Sequence, residues 1–190
     1  MSVILASGSP RRKELLEMLG FEDLKIIPAK GEESAPEGLG PGELVMALAA
    51  QKGREVKELC RSGDVIIAAD TIVWHEGGVY GKPHSEDEAK RMLRSLSGRS
   101  HQVYTGVCVI RGEEELLRYN MSEVAFRDMS DEEIEAYVAT GEPMDKAGAY
   151  GAQGKGAVFV DHIVGDFFNV MGLPLCTLGE MLKMLGVRVL

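Results

Sequence analysis

Apolar residues along the chain form patterns that predict five strands. Continuous apolar runs at residues 3–6 and 65–69 predict buried strands, and the segment 158–164 predicts a further one. Apolar and polar residues alternate at 102–110 and 116–126, which predicts two half-buried strands joined as a hairpin. The chain therefore combines strands typical of a sheet interior with strands that expose one face.

Helices are predicted where apolar residues recur every three or four positions between start and stop signals. The first has Ser9 as its N-cap, Pro10 as its first residue and Gly20 as its stop. Capping boxes open two more helices, at Ser85–Glu88 and Ser130–Glu133. The predicted helices after the first are 43–59, 85–96, one from 130 to the stop at 141, and 175–185.

The order of these elements predicts the fold class. Strands and helices are intermixed, and hairpins occur together with crossovers, which favours an α/β fold around a mixed sheet. With 190 residues the chain is long enough for one domain, with or without two lobes. Internal repeats and a clear linker are both absent from the sequence, so we predict a single domain over residues 1–190.

The charge balance limits the kinds of partner. The chain carries 21 basic and 30 acidic residues, a formal net charge of −9 at pH 7. That charge argues against binding to nucleic acid polymers or to anionic membranes, because both are negatively charged. A small anionic ligand stays compatible, since a local basic pocket can outweigh the overall field.

The cysteines and the apolar runs of the sequence predict the cellular compartment of the protein. Cys60, Cys108 and Cys176 are far apart, show no zinc-ligand spacing and are odd in number. No apolar run reaches the ~18 residues of a membrane span, and the start of the sequence lacks the pattern of a signal peptide. These features predict a cytoplasmic protein in a reducing environment.

The segment "SGSPRR", residues 7–12, places two arginines in the first turn of a predicted helix. A helix start already carries free N–H groups and a partial positive charge, so arginines there do not help the helix itself. One interpretation is a phosphate cradle formed by Ser7, Arg11, Arg12 and backbone amides. The alternative is that both arginines are solvated surface residues.

Acidic residues supply a second candidate feature. Asp70 directly follows a buried strand, and the ends of strands are where α/β proteins place ligands. A carboxylate there can hold a divalent metal or position a water molecule. A turn aspartate is the alternative, but the β-branched residues Thr71–Val73 do not begin a helix. Glu32 and Glu33 lie in a polar loop, where glutamates are usually solvated.

Further candidates have strong structural alternatives. Lys52 lies in a helix and Lys82 in the rigid turn "GKP", both common surface positions that also suit a phosphate contact. His101 could act as a general acid or base, although a lone histidine is more often structural. The glycine-rich segment 142–154 suits a loop that wraps a ligand, with Gln153 able to contact a base edge. Together these residues predict a metal-assisted phosphoester or phosphoanhydride hydrolase, or a nucleotide binder.

Six segments, in this order and spacing, resemble the Maf family of nucleoside triphosphate pyrophosphatases. The resemblance extends from residue 7 to residue 174. The matching segments are "SGSPRR" (7–12), "AADTIV" (68–73), "GKP" (81–83), "LSGRSHQVYTGV" (96–107), "EPMDKAGAYGAQG" (142–154) and "NVMGLP" (169–174).

The resemblance implies a two-lobed α/β fold around an elongated mixed sheet, similar to inosine triphosphate pyrophosphatases, with a ligand cleft between the lobes. It also implies a homodimer and dependence on Mg²⁺ or Mn²⁺. The implied reaction is hydrolysis of a nucleoside triphosphate to the monophosphate and pyrophosphate.

The resemblance also assigns roles to the candidate residues. Asp70 is implied as metal ligand or water-activating base, with a second acid in the loop. Many members have Asp-Glu in that loop where this chain has Gly31-Glu32-Glu33-Ser34, and we expect Glu33 to take the role. The residues implied to hold the phosphates are Ser7, Arg11, Arg12, Lys52 and Lys82.

Within the family, the segments resemble the branch that acts on dTTP and UTP. There, Arg11, Thr71 and Gln153 are implied to select the substrate. The alternatives are a pyrophosphatase for 7-methyl-GTP or for modified nucleotides in general. A third alternative is a nucleotide-binding regulator of cell division, because the family is associated with septum formation.

Overall fold

The computed structural model describes residues 2–21 and 23–189, which form seven strands and six α-helices. The strands are β1 (Val3–Leu5), β2 (Lys25–Ile26), β3 (Val65–His75), β4 (Gly78–Tyr80), β5 (Ser100–Arg111), β6 (Glu114–Phe126) and β7 (Val160–Val164). The helices are α1 (Pro10–Met18), α2 (Pro41–Lys57), α3 (Glu86–Leu96), α4 (Asp131–Val138), α5 (Phe167–Met171) and α6 (Leu175–Met184). None of the helices in these ranges is long and apolar enough to cross a membrane.

The strands form one mixed sheet in the order β2-β1-β3-β5-β6-β7, and β4 pairs with β3. Strand β1 runs parallel to both of its neighbours, with Ile4 opposite Lys25 on one side and Ile66 on the other. The pairs β3–β4 and β6–β7 are antiparallel. The prediction of an α/β fold with a mixed sheet is confirmed.

Contacts divide the chain into two compact units. The first unit comprises the chain up to Asp70, Thr105–Asn120 and the chain from Gly172 onward. The second comprises Thr71–Tyr104 and Met121–Met171. Strands β3, β5 and β6 each contribute residues to both units.

In the first unit, α2 packs closely on one face of the sheet. Its contact with β5 is so close that a Cβ at Gly106 would lie 2.3 Å from the carbonyl oxygen of Val45. This approach fixes the position of α2 over β3 and β5. The apolar core between α2 and the sheet consists of Ile4, Ala6, Ala49, Val56, Ile66, Ala68, Cys108 and Ile110.

In the second unit, aromatic side chains form the centre of the core. The ring of Phe126 packs edge-on against His101 and Tyr150, with centroids 4.9 and 4.7 Å apart. His101 is 3% exposed, and its Nε2 lies 2.7 Å from the Tyr150 hydroxyl. Burial lowers the pKa of His101 to about 3, so the imidazole is neutral at physiological pH. The structural interpretation of this histidine therefore holds over the general-acid interpretation.

Four predicted strand limits differ from the structure by two residues or more: β5 and β6 each begin two residues earlier than predicted, and the other two limits are at β3 and β7. Strand β3 does not end before Asp70 but continues to His75, because Thr71–Val73 are β-branched or apolar and favour an extended backbone. Strand β7 begins at Val160 rather than at residue 158, because Lys155–Phe159 form a 3₁₀ turn. Short elements such as β2 and β4 were not predicted, since two or three residues carry too little pattern.

Candidate active site

The centre of the candidate site is the ammonium group of Lys52, which lies between two carboxylates. Its Nζ is 2.6 Å from Oδ1 of Asp70 and 2.8 Å from Oε1 of Glu33. The side chains of Asp70 and Lys52 are 10% and 18% exposed, whereas that of Glu33 is 58% exposed. The site is thus a largely buried ion pair extended toward solvent by a second acid.

Packing of α2 on β3 explains this arrangement. Ile66, Ala68 and Asp70 alternate along β3 and so share the face that α2 covers. A Cβ at Gly53 would lie 3.5 Å from that of Ala68, which shows how near the helix passes. Lys52 precedes Gly53, and its side chain reaches Asp70, the next position along the same face. Asp70 therefore follows Ile66 and Ala68 on the covered face of β3, and Lys52 of α2 neutralises its charge.

The segment that carries Glu33 is bonded to α2 by two side chains. Oε1 of Glu55 accepts the backbone N–H groups of Lys30 and Gly31 at 2.7 and 3.2 Å. Gln51 donates from Nε2 to the carbonyl oxygen of Glu32 at 2.6 Å. Its Oε1 accepts the N–H of Ser34 at 3.0 Å. The backbone on both sides of Glu33 is therefore anchored to the helix that carries Lys52.

Arg12 adds a second cation. Its Nη1 donates to the Ser7 hydroxyl at 3.0 Å, and its Nε donates to the Gly172 carbonyl oxygen at 2.8 Å. Burial lowers the pKa of Arg12, and the negative charge of Asp70 opposes that shift. An arginine still keeps its proton in a protein. The guanidinium is therefore a fixed positive charge within electrostatic range of Asp70.

Five of the predicted site residues thus contribute to one arrangement in the first unit. These are Ser7, Arg12, Glu33, Lys52 and Asp70. Arg11, half-buried in the first turn of α1, lowers the pKa of Arg12 by charge repulsion. Cations and acids side by side suit a ligand that combines phosphate groups with a metal ion.

The donor set fits a divalent metal shared with a substrate. Mg²⁺ and Mn²⁺ prefer carboxylate oxygens, and Asp70 and Glu33 both direct one toward a single cation, the Lys52 ammonium. Within residues 2–21 and 23–189, no group of three or more histidine, cysteine or acidic side chains is arranged to hold a metal. The remaining ligands of an ion here would therefore be phosphate oxygens and water, as is usual for Mg²⁺ sites.

The other predicted site residues, Thr71, Lys82 and Gln153, belong to the second unit. Thr71 is half-buried and follows Asp70 within β3, while Lys82 and Gln153 are exposed. The turn that carries Lys82 is tied to the glycine-rich segment, because Gly148 donates its N–H to the Gly81 carbonyl at 3.1 Å.

Glu142 organises the segment that carries Gln153. Its carboxylate accepts the backbone N–H groups of Lys155 and Gly156 at 3.0 and 3.2 Å and the Tyr137 hydroxyl at 2.9 Å. These bonds lower the pKa of Glu142 in spite of its partial burial. Sequence reasoning missed this role, since a glutamate near a turn gives no local sign of distant backbone partners.

The chain is similar to known proteins over nearly its whole length. The family model described as "Maf-like protein" matches residues 2–185. The dTTP/UTP pyrophosphatase of Bacillus cereus strain AH820 is 49% identical over 187 residues, covering 98% of this chain and 97% of the relative. The dTTP/UTP pyrophosphatase of Bacillus anthracis strain CDC 684 / NRRL 3495 is 48% identical with the same coverage.

Solved structures with little sequence identity share the fold. The Ham1 protein of Staphylococcus aureus matches with a TM-score of 0.54 and 13% identity, over 97% of this chain and 99% of that one. A Ham1 protein of Coxiella burnetii matches with a TM-score of 0.51, 19% identity and the same coverage. At such identities the likeness concerns the fold alone. The sequence relatives and the family match together show that this chain belongs to the Maf family.

Proposed function

We propose that this protein hydrolyses dTTP and UTP to the nucleoside monophosphate and pyrophosphate. The observation that carries the proposal is Lys52 held between Asp70 and Glu33, with Arg12 within electrostatic range. Negative charge beside a triphosphate is unfavourable for binding alone but is needed to hold a metal or accept a proton. The activity named for the 48–49% identical relatives supports the same reaction.

In this proposal the cationic side chains hold the triphosphate. Arg12, fixed by its bonds to Ser7 and Gly172, offers a preset guanidinium to phosphate oxygens. Arg11 and Lys82 add positive charge, and Lys52 is placed to neutralise charge that develops as pyrophosphate leaves. Because Arg12 and Lys52 are held by these bonds, they can stabilise the transition state without large rearrangement.

Asp70 and Glu33 are proposed as the acids of the reaction. They would hold Mg²⁺ or Mn²⁺, which when bound neutralises phosphate charge and lowers the pKa of water. Asp70 is also placed to accept the proton of the water that attacks the α-phosphorus, since its carboxylate is oriented by Lys52. Attack in line with the bridging oxygen would release pyrophosphate.

Selection of the nucleotide is proposed for Arg11, Thr71 and Gln153. Arg11 directly precedes Arg12 in sequence, Thr71 directly follows Asp70, and Gln153 is exposed on a segment that Glu142 holds in shape. The Gln153 side chain offers a donor and an acceptor, which suits the edge of a pyrimidine base. We therefore expect Gln153→Ala to reduce the preference for dTTP and UTP over other triphosphates.

We also propose that the protein is a cytoplasmic homodimer that binds neither nucleic acid polymers nor membranes. The net charge of −9 supports the exclusion of anionic polymers and lipid surfaces. Light scattering coupled to size-exclusion chromatography tests the dimer, and a mass near the 20.6 kDa of one chain would contradict it.

The test of the function is a panel of nucleoside triphosphates, including 7-methyl-GTP, incubated with Mg²⁺ or Mn²⁺. Products are separated as monophosphate, diphosphate, pyrophosphate and phosphate. We expect monophosphate with pyrophosphate, formed fastest from dTTP and UTP. Faster cleavage of 7-methyl-GTP would support the proposed pyrophosphatase reaction but contradict the proposed preference for dTTP and UTP. Tight binding without any cleavage would overturn the reaction and favour a regulator.

A further inference from the structure

The acidic loop raises a question of orientation. Glu33 is 58% exposed and lies in a segment without helix or strand, so core packing does not fix its side chain. Ligands that must meet a metal usually depend on neighbouring groups for their orientation. Something outside the core must therefore hold Glu33 near Asp70.

Gln51 bonds to the peptide groups on both sides of Glu33. Its Nε2 donates to the Glu32 carbonyl oxygen at 2.6 Å, and its Oε1 accepts the Ser34 N–H at 3.0 Å. One side-chain amide thus satisfies an acceptor and a donor of an exposed backbone, much as a neighbouring strand would. The two bonds restrict rotation of the backbone at the residue between them.

Glu55, one helical turn further along α2, anchors the beginning of the same loop. Its two carboxylate oxygens lie 3.2 and 3.1 Å from the Gly31 nitrogen, and Oε1 also accepts the Lys30 N–H at 2.7 Å. A Cβ at Gly31 would lie 2.8 Å from Oε2 of Glu55, so the close approach suits a glycine. Glu55 thus holds the beginning of the loop against α2 just before the two glutamates.

We propose that Gln51 and Glu55 are positioning residues that set Glu33 for metal binding. Residues 51, 52 and 55 of α2 then act together, because Lys52 contacts the Glu33 carboxylate while the other two hold its backbone. The proposal rests on the proposed function, in which Glu33 is one of the two metal-holding acids. Neither positioning residue needs to touch the nucleotide.

The expected effect is on metal affinity and turnover rather than on nucleotide binding. Removing a group that orients a metal ligand commonly costs 10–100-fold in affinity or activity. For Gln51→Met, which keeps the length but loses both bonds, we expect roughly 10-fold weaker Mn²⁺ binding and a kcat lower by about 10-fold. The KM for dTTP should change less than about twofold, since the phosphate-binding cations stay in place.

The experiment measures Mn²⁺ binding by electron paramagnetic resonance in the presence of α,β-methylene-dTTP, together with kcat and KM. The variants are Gln51→Met, Glu55→Ala, Glu33→Gln and the double variant Gln51→Met with Glu33→Gln. The matched control is Glu43→Gln. That glutamate also lies on α2 and accepts a loop N–H, from Gly40 at 3.1 Å, but does so away from the acidic segment.

If Gln51 acts through Glu33, the double variant is no weaker in Mn²⁺ binding than Glu33→Gln alone. Additive losses, or a Gln51→Met protein that behaves like the Glu43→Gln control, overturn the positioning role. Normal Mn²⁺ binding and activity in Glu33→Gln would instead remove Glu33 from the proposed function. Glu55→Gln keeps one acceptor oxygen and should recover most of the activity lost in Glu55→Ala, which a general folding defect would not predict.

Discussion

Replacing Asp70 by asparagine tests the candidate site most directly, because the change removes one charge and hardly alters the shape. Asparagine keeps an oxygen that can accept from Lys52, which also retains Glu33 at 2.8 Å. The ion pair becomes a hydrogen bond with a neutral acceptor. What disappears is the charge that we assign to metal binding and proton transfer.

The expected loss of stability and the expected loss of turnover differ greatly in size, so the two can be told apart. Hydrogen bonds to charged groups contribute about 1.5–3 kcal/mol, and in the variant the charged Lys52 ammonium is still the donor. Only the charge of the acceptor is lost, so the variant should lose about 1 kcal/mol of stability or less. For a chain of this length, that lowers the melting temperature by about 2–4 °C. Loss of an essential acid or base, in contrast, lowers turnover by about 10²–10⁴-fold. A protein that loses about 1 kcal/mol stays almost completely folded, so unfolding cannot explain such a loss.

The assay compares kcat/KM for dTTP and the melting temperature of wild type, Asp70→Asn and Asp64→Asn. Asp64 is a matched control, since it is as buried as Asp70 at 7% exposure and lies just before the same strand. Its carboxylate accepts the N–H groups of Ser2 and Arg61, which is a structural role. Asp64→Asn should lose stability with normal turnover. Asp70→Asn with more than about a tenth of wild-type activity would refute the assignment, as would equal activity losses in both variants.

Three further changes probe the folded frame. The pKa of His101, about 3 in the folded chain, is near 6.5 in the unfolded chain, so the unfolded state binds an extra proton between these values and stability falls as the pH falls below 6.5. In His101→Gln this contribution is absent. Its free energy of unfolding should therefore fall less steeply with decreasing pH than that of the wild type, by up to about 1.4 kcal/mol per pH unit, as measured by urea unfolding at pH 7 and pH 5. Gly106→Ala places a Cβ 2.3 Å from a carbonyl oxygen of α2 and should cost about 1–3 kcal/mol and most of the activity, measured by thermal unfolding and dTTP turnover. Tyr137→Phe removes the hydroxyl bonded to Glu142 and should cost about 1–2 kcal/mol, with faster hydrogen exchange at residues 151–156.

Each of these changes has a comparison that would contradict it. A His101→Gln protein whose stability depends on pH as steeply as that of the wild type between pH 7 and pH 5 would contradict the burial argument. Gly179 meets no atom within 4 Å, so Gly179→Ala should be neutral or stabilising. If the hydrogen-exchange rates of the backbone amides at 151–156 are unchanged in Tyr137→Phe, Glu142 orders this segment without any contribution from the Tyr137 hydroxyl.

Elements with local signals were predictable from the sequence. The Ser85 hydroxyl accepts the Glu88 N–H at 3.2 Å, and Ser130 with Glu133 forms the complete capping box that the spacing predicted. Such signals lie within a single turn of the chain. Their physics is independent of the rest of the fold. The Ser130 box and the Ser85 N-cap are confirmed, but Glu88 accepts the N–H of His84 rather than that of Ser85, so the second half of the predicted Ser85 box does not form.

The candidate site depended on contacts that are distant in sequence. Asp70 was identified, yet its place inside a strand was not, because an acid there is acceptable only with a partner 18 residues away. Lys52 is of a type usually found at the surface of helices, and its burial follows from the close packing of α2. The anchoring role of Gln51 and Glu55 gave no signal at all, since polar residues on a helix usually face water.

The bond between Arg12 and the Gly172 carbonyl joins positions 160 residues apart, and it has a consequence for biosynthesis. A ribosome makes the arginine early, whereas its carbonyl partner emerges only after every residue of the second unit has been translated. The second unit can therefore begin to fold on the nascent chain, while the part of the first unit that holds Arg12 must wait for the final segment. A polypeptide released before that segment would contain Lys52 and Asp70 but would lack the carbonyl group that fixes the guanidinium of Arg12.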